Sequence, residues 1–188
     1  PRGALLPYGR TKALASNLVL EAVAAGLDAV IVSPTGIIGP GDWRPSRTGK
    51  LALLCARGRL PATVGGGFYF IDTRDVVCGM LLAAKKGRRG TNYILPGERA
   101  SIAELMAMAG RAAGRKPPRL RAPFPLAWLG SLFLEQYHAL CGGTPLFTRS
   151  ALRIIRYDPE IDADRAQREL GWSSRPLAVT VRDTVAWF

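Results

Sequence analysis

The spacing of apolar residues changes abruptly at Gly26, and that change constrains the fold more than any other feature of this 188-residue chain. Between Tyr8 and Ala25, Leu14, Leu18, Val19, Ala22 and Val23 recur at the three- and four-residue spacing of one helix face. Gly26 follows where a C-terminal cap belongs. The next stretch, "DAVIVSP" from Asp28 to Pro34, is short, apolar and β-branched, as a strand buried on both faces requires. A helix feeding such a strand predicts α/β layering around a parallel sheet.

Beyond Pro34 runs "TGIIGPGDWRPSRTG", whose four glycines and two prolines predict a long irregular loop leaving the carboxyl end of the strand. In open α/β sheets ligands collect at that edge. The pattern then predicts a helix and short strand in "KLALLCARGRLPATV" and a strand running into a helix in "FYFIDTRDVVCGMLLAAKK". Asp72 is placed to cap that helix, with Asp75 in its first turn, which explains these carboxylates better than an acid and base pair does. "NYILPGERASIAEL" reads as strand, turn and a helix opened by Ser101 with Glu104 three residues on, the capping-box spacing. Ile102, Leu105, Met106 and Ala109 form the apolar face of that helix. Near the end, one short helix is capped by Asp162 and stopped at Gly171, and another carries Leu177, Val181, Val185 and Phe188 on one stripe.

With 48% hydrophobic residues the chain has material for a real core. No apolar run reaches the roughly 20 residues of a membrane span, because Gly130, Glu135 and His138 interrupt "PLAWLGSLFLEQYHAL", which reads as a core or pocket helix. No export signal is legible at the N-terminus, so a cytoplasmic location is the default expectation. Cys55, Cys78 and Cys141 are far apart and odd in number, which predicts buried free thiols rather than disulfides or a metal site. His138 is the single histidine and has no ligand-spaced partner, so no metal is expected. The net charge of +12 raises the question of nucleic acid or an anionic membrane. Its densest cluster, Arg111, Arg115, Lys116, Arg119 and Arg121, straddles Pro117 and Pro118 and lacks interleaved aromatics, so a solvated edge is expected and nucleic-acid binding is not.

The first polar pair of interest is Tyr8 and Lys12. Residues four apart stack on one face of a helix, so this phenol and ammonium address the same point in space. A free phenol ionises near pH 10 and is a poor base at neutrality; bringing one to about 7 takes roughly 4 kcal/mol, within reach of two nearby cations in a dry site.

In context, "PYGRTK", then "VIVSPTGIIGPGD", then "FIDTRDVVCGMLLA", "NYILPGERASIAEL" and the terminal "RELGW" and "DTVAWF", the chain resembles the extended short-chain dehydrogenase/reductase family over nearly its whole length. The resemblance implies the C-terminal part of a doubly wound Rossmann-type parallel sheet plus a small α/β substrate-binding domain. It places the end of the NAD(P)-binding domain at about 1–35 and 68–95, and the substrate domain at about 36–67 and 96–188. It makes Tyr8 the catalytic acid/base, Lys12 the residue that holds the nicotinamide ribose, and Pro34, Thr35, Gly36 and Ile37 the backbone that passes the nicotinamide of NAD or NADP. It also implies a small-molecule substrate and a homodimer built on the Tyr8 helix.

Within that family, nucleotide-sugar enzymes carry an Arg-Asp pair where this chain has Phe68-Tyr69-Phe70, which favours an apolar or isoprenoid-like substrate and a likeness to the dihydroflavonol-reductase, 3β-hydroxysteroid-dehydrogenase and hopanoid-associated epimerase-like branch. A nucleotide-sugar epimerase or dehydratase and a non-catalytic dinucleotide sensor are the alternatives. The family's glycine-rich phosphate loop is not found in these residues: Pro40 and Pro45 break the segment after Gly36, Gly39 and Gly41. The 188 residues alone are therefore expected to be a C-terminal portion and a poor catalyst.

Overall fold

The computed structural model describes residues 7–60, 62–118, 120–142, 148–157 and 160–188. Helix α1, Pro7–Ala24, closes in the way Gly26 predicted: with φ of 119°, Gly26 donates its N–H to Val23 and Leu27 donates to Ala22, a Schellman closure of the helix. Strand β1, Ile31–Pro34, follows, and β2, Gly36–Ile38, begins after a single intervening residue. Then come α2 (Arg47–Ala56), β3 (Ala62–Val64), β4 (Gly67–Asp72) and α3 (Thr73–Lys86). The chain continues through β5 (Asn92–Leu95), β6 (Glu98–Ser101), α4 (Ile102–Ala112) and β7 (Leu120–Ala122). Helices α5 (Phe124–Cys141) and α6 (Arg149–Tyr157), a π-helical turn at Ala166–Leu170 and α7 (Leu177–Trp187) complete it.

Among the described residues the strands form three small sheets. β1 pairs in parallel with β5, β2 in parallel with β4, and β3 in parallel with β7, while β6 adds antiparallel to the far side of β4. The architecture is α/β, as expected.

Two cores hold the layers together. In one, Leu51, Ala52 and Cys55 of α2, Leu105, Met106 and Ala109 of α4, and Leu177 and Val181 of α7 close over Phe70 and Ile38 of the central sheet. In the other, Val76 and Ala83 of α3 pack with Tyr93 and Leu95 of β5 and with Ala166, Leu170 and Trp172 around the π-turn. The helix faces expected for α4 and α7 are the buried ones. The capping box of α4 is complete: Ser101 Oγ accepts from Glu104 N at 3.1 Å and Glu104 Oε2 accepts from Ser101 N at 2.8 Å.

Several expectations need correction. The stretch after Pro34 is partly regular, because Gly36–Ile38 finds a parallel partner in Phe70–Asp72 and Ser46 caps α2, its Oγ accepting from Gly49 N. A turn held by Asp42, whose carboxylate accepts from Ser46 N at 2.8 Å, fills the space where any side chain at Gly49 would sit. Strand β6 was not expected within the turn it occupies. Of the three free cysteines, Cys55 is buried, donating to the Met106 carbonyl at 3.0 Å, but Cys78 and Cys141 are exposed, since they fall on the outer faces of their helices. Leu14 and Leu18 of α1 are likewise exposed, at 61% and 65%, and α5 is not a core helix: Leu126, Phe133 and Leu140 stand in solvent. In the basic cluster Arg119 lies outside the described residues, while Arg111, Arg115, Lys116 and Arg121 are exposed.

Candidate active site

Tyr8 and Lys12 lie in the first two turns of α1 on one face, and Lys12 Nζ stands 5.7 Å from the centroid of the Tyr8 ring. The ammonium thus lies over the π-face of the phenol it was expected to accompany. Tyr8 is 74% exposed and Lys12 is exposed too, and neither side chain makes a hydrogen bond or ion pair to a described residue.

The second element of the expected site is the passage from β1 to β2. Pro34, paired with Leu95, is exposed; Thr35 and Gly36 are half-buried; Ile37 is 43% exposed. Thr35 is fastened at both ends: its N–H donates to the Leu95 carbonyl at 3.2 Å and its Oγ1 accepts from Gly97 N at 3.3 Å. Gly36 is required by close approach, because a Cβ there would stand 2.9 Å from Phe68 Cδ1 and 3.0 Å from the Tyr69 carbonyl. These four residues form a stiff ledge at the carboxyl edge of β1. Among the described residues no hydrogen bond, ion pair or ring contact joins Tyr8 or Lys12 to the ledge.

The aromatic trio is built into the fold. Phe70 is core, Phe68 packs against the same cluster 6.2 Å from Phe70 between ring centroids, and the Tyr69 hydroxyl accepts from Ile161 N at 3.5 Å. The carboxylates at the start of α3 are structural in the way their sequence positions indicated. Asp72 Oδ1 accepts from Arg74 N at 2.8 Å, and Asp75 is held by Arg175 through its backbone N–H and guanidinium at 2.8 to 2.9 Å. Arg74 bridges Asp72 to Asp183 of α7, at 2.7 and 2.8 Å. Burial pushes the Asp72 carboxyl up, but hydrogen bonds from Arg74 and Thr180 and the Arg74 charge outweigh it and hold the group below the usual carboxylate range. Arg74, Arg175 and Asp183 escaped the sequence reading; no local pattern links positions a hundred residues apart.

The profile of the NAD dependent epimerase/dehydratase family matches residues 2–95, half of the chain. The chain belongs to this family, the extended short-chain dehydrogenase/reductases expected from its motifs. It is 36% identical over 184 residues to sterol demethylase protein B of Methylococcus capsulatus, covering 96% of this chain and 56% of that protein. It is 32% identical over 186 residues to the 4-hydroxy-2-methyl-3-oxo-4-farnesyl-3,4-dihydroquinoline-1-oxide ketoreductase of Stigmatella aurantiaca, covering 93% and 53%. The crystal structure of gox2253 superposes with a TM-score of 0.78 at 32% identity, covering the whole of this chain and 57% of that one. The chain spans about half the length of the relatives it matches.

Proposed function

We propose that this chain carries the acid/base end of an NAD(P)-dependent oxidoreductase acting on a CH–OH or C=O group of an apolar or isoprenoid-like substrate. The observation that carries the proposal is the Tyr8–Lys12 pair, an exposed phenol and ammonium on one helix face that meet no polar partner among the described residues. That donor set fits a nicotinamide nucleotide: Lys12 would donate to ribose hydroxyls, and the ledge Pro34, Thr35, Gly36 and Ile37 would carry the nicotinamide. The nicotinamide, when bound, supplies or accepts the hydride. Tyr8 passes a proton between its hydroxyl and the substrate oxygen, with the Lys12 ammonium beside its ring. The rigidity of the ledge, fixed by Thr35 and by the tight seat of Gly36, suits a surface that must hold a ring in register.

The apolar substrate class is supported by two relatives, named for sterol demethylation and for reduction of a farnesylated ketone. The Phe68–Phe70 trio supports it less than its sequence suggested, since those rings are spent on packing. Tyr8, Lys12 and the ledge belong, in the same proposal, to the nucleotide-binding part at about 1–35 and 68–95, with the substrate part at about 36–67 and 96–188. The exposed Leu14 and Leu18 suit a homodimer built on α1, and a cytoplasmic location remains part of the reading.

The test is NAD(P)H turnover with cyclic ketones, measured for the 188 residues and for the complete coding sequence that contains them. Replacing Tyr8→Phe should lower kcat by about 10² to 10⁴ while leaving dinucleotide affinity in place. Lys12→Met should weaken both. Full turnover in the Tyr8→Phe protein would falsify the assignment.

A further inference from the structure

Along α5, Leu126, Leu129, Phe133, Tyr137 and Leu140 succeed one another at intervals of three and four residues, which places them on one stripe. All five are exposed, from 51% at Leu129 to 86% at Leu140. The opposite face is the one that meets the rest of the chain: Ser131 is buried, Trp128 lies under Arg153, and Glu135 accepts from Arg149 N and Nε at 2.8 Å. A lone exposed leucine is ordinary, but five large apolar side chains in a continuous row of about 20 Å mark a contact surface.

The cations packed against the other face of α5 are distinctive. The Arg153 guanidinium stacks 5.3 Å over Trp128 and that of Arg156 4.7 Å over Phe124, and neither meets a carboxylate among the described residues. The one carboxylate of α5, Glu135, is already taken by Arg149. With Pro125 and Leu129 these rings and guanidiniums line an open cavity of about 770 Å³. Leu129 of the apolar row thus shares a cavity with aromatic rings and with arginines that meet no carboxylate among the described residues, on a chain of net charge +12. Among the described residues no helix is long and apolar enough to cross a membrane, so a helix of this kind lies along a surface rather than through it.

We propose that α5 lays its apolar stripe on an anionic lipid bilayer, with Arg153 and Arg156, which share a cavity with Leu129 of that stripe, engaging lipid phosphates. The stripe enters the boundary between headgroups and acyl chains, while the arginine stems lie along Trp128 and Phe124 and their charged ends reach the phosphate layer. Charge selects the bilayer over a second copy of the chain. A two-fold pairing of stripes repeats every feature of the surface and so brings two more guanidiniums and, among the described residues of α5 and α6, no carboxylate that is not already paired. The surface does not involve Tyr8 or Lys12.

The test is flotation of the 188-residue protein with phosphatidylcholine vesicles, with and without phosphatidylglycerol, at low and high salt. Binding should require phosphatidylglycerol and weaken with salt. Leu126→Asp combined with Phe133→Asp should abolish it, and both sites are exposed, so circular dichroism and the thermal midpoint should stay unchanged. Arg153→Gln with Arg156→Gln should lower the partition coefficient about thirtyfold, at about 1 kcal/mol per arginine. Leu14→Asp with Leu18→Asp, on the exposed face of α1, should leave binding intact. Failure of the unaltered protein to float, or equal loss in the α1 variant, overturns the proposal. So does a stripe variant that shifts the sedimentation coefficient from dimer to monomer while vesicle binding persists.

Discussion

At the scale of single residues, the strongest constraints lie where the backbone has no room. Gly36→Ala would press a methyl group against the Phe68 ring and the Tyr69 carbonyl, and overpacking of this kind costs about 1–3 kcal/mol. Urea unfolding should show a lowered midpoint with an unchanged slope; an unchanged midpoint would mean that Phe68 moves aside freely. Arg175 is the other sensitive point. Its guanidinium and N–H both serve Asp75, which has 8% of its side chain exposed, so Arg175→Met leaves a nearly buried carboxylate without its main partner. Allowing for the 30% exposure of Arg175, a loss of about 2 kcal/mol is expected, read from the same unfolding curves. Asp75→Asn in that background should recover part of it, because the unpaired charge is then gone.

Secondary-structure elements show what the sequence could reveal. The α4 N-terminus was fully legible, since Ser101 and Glu104 sit at capping-box spacing and the box is local chemistry. Ser101→Ala should cost about 1 kcal/mol, visible as a lower thermal midpoint. The Tyr8–Lys12 face was legible for the same reason, being fixed by helix geometry alone. Strands β2 and β6 were not. Each has only three or four residues and owes its existence to hydrogen bonds with β4, a partner distant in sequence. Glu98 carries a further non-local task, its carboxylate accepting from Leu177 N at 2.9 Å at the start of α7. For α5 the pattern reported apolarity faithfully and was silent on what covers it: a core or pocket helix was expected, and the structure has one that lines a cavity on one side and exposes an apolar stripe on the other.

For the whole molecule, the carboxylates are organised by cations. Burial raises and Arg74 more than offsets for Asp72; at Glu169 the Tyr93 hydroxyl, and after it Arg88, lowers the carboxyl; Asp183 is lowered by Arg74 and then Arg182. A carboxyl group lowered in the folded state contributes stability above its unfolded value and loses it as pH falls through the folded one. The thermal midpoint should therefore be flat from neutrality down to about pH 5, fall below about pH 4, and fall less steeply in Asp72→Asn. A midpoint that rises on acidification would contradict the ion-pair assignments.

Thr35, alone between β1 and β2, makes the seam between two sheets a splice without slack. One inserted residue there has nowhere to loop out, because both amide and hydroxyl of the splice are already fastened to Leu95 and Gly97. The surplus must travel into a strand as a one-step slip, turning Ile38 outward from the interior it now fills. Length, at this point of the chain, is fixed by geometry as strictly as the fit of any side chain.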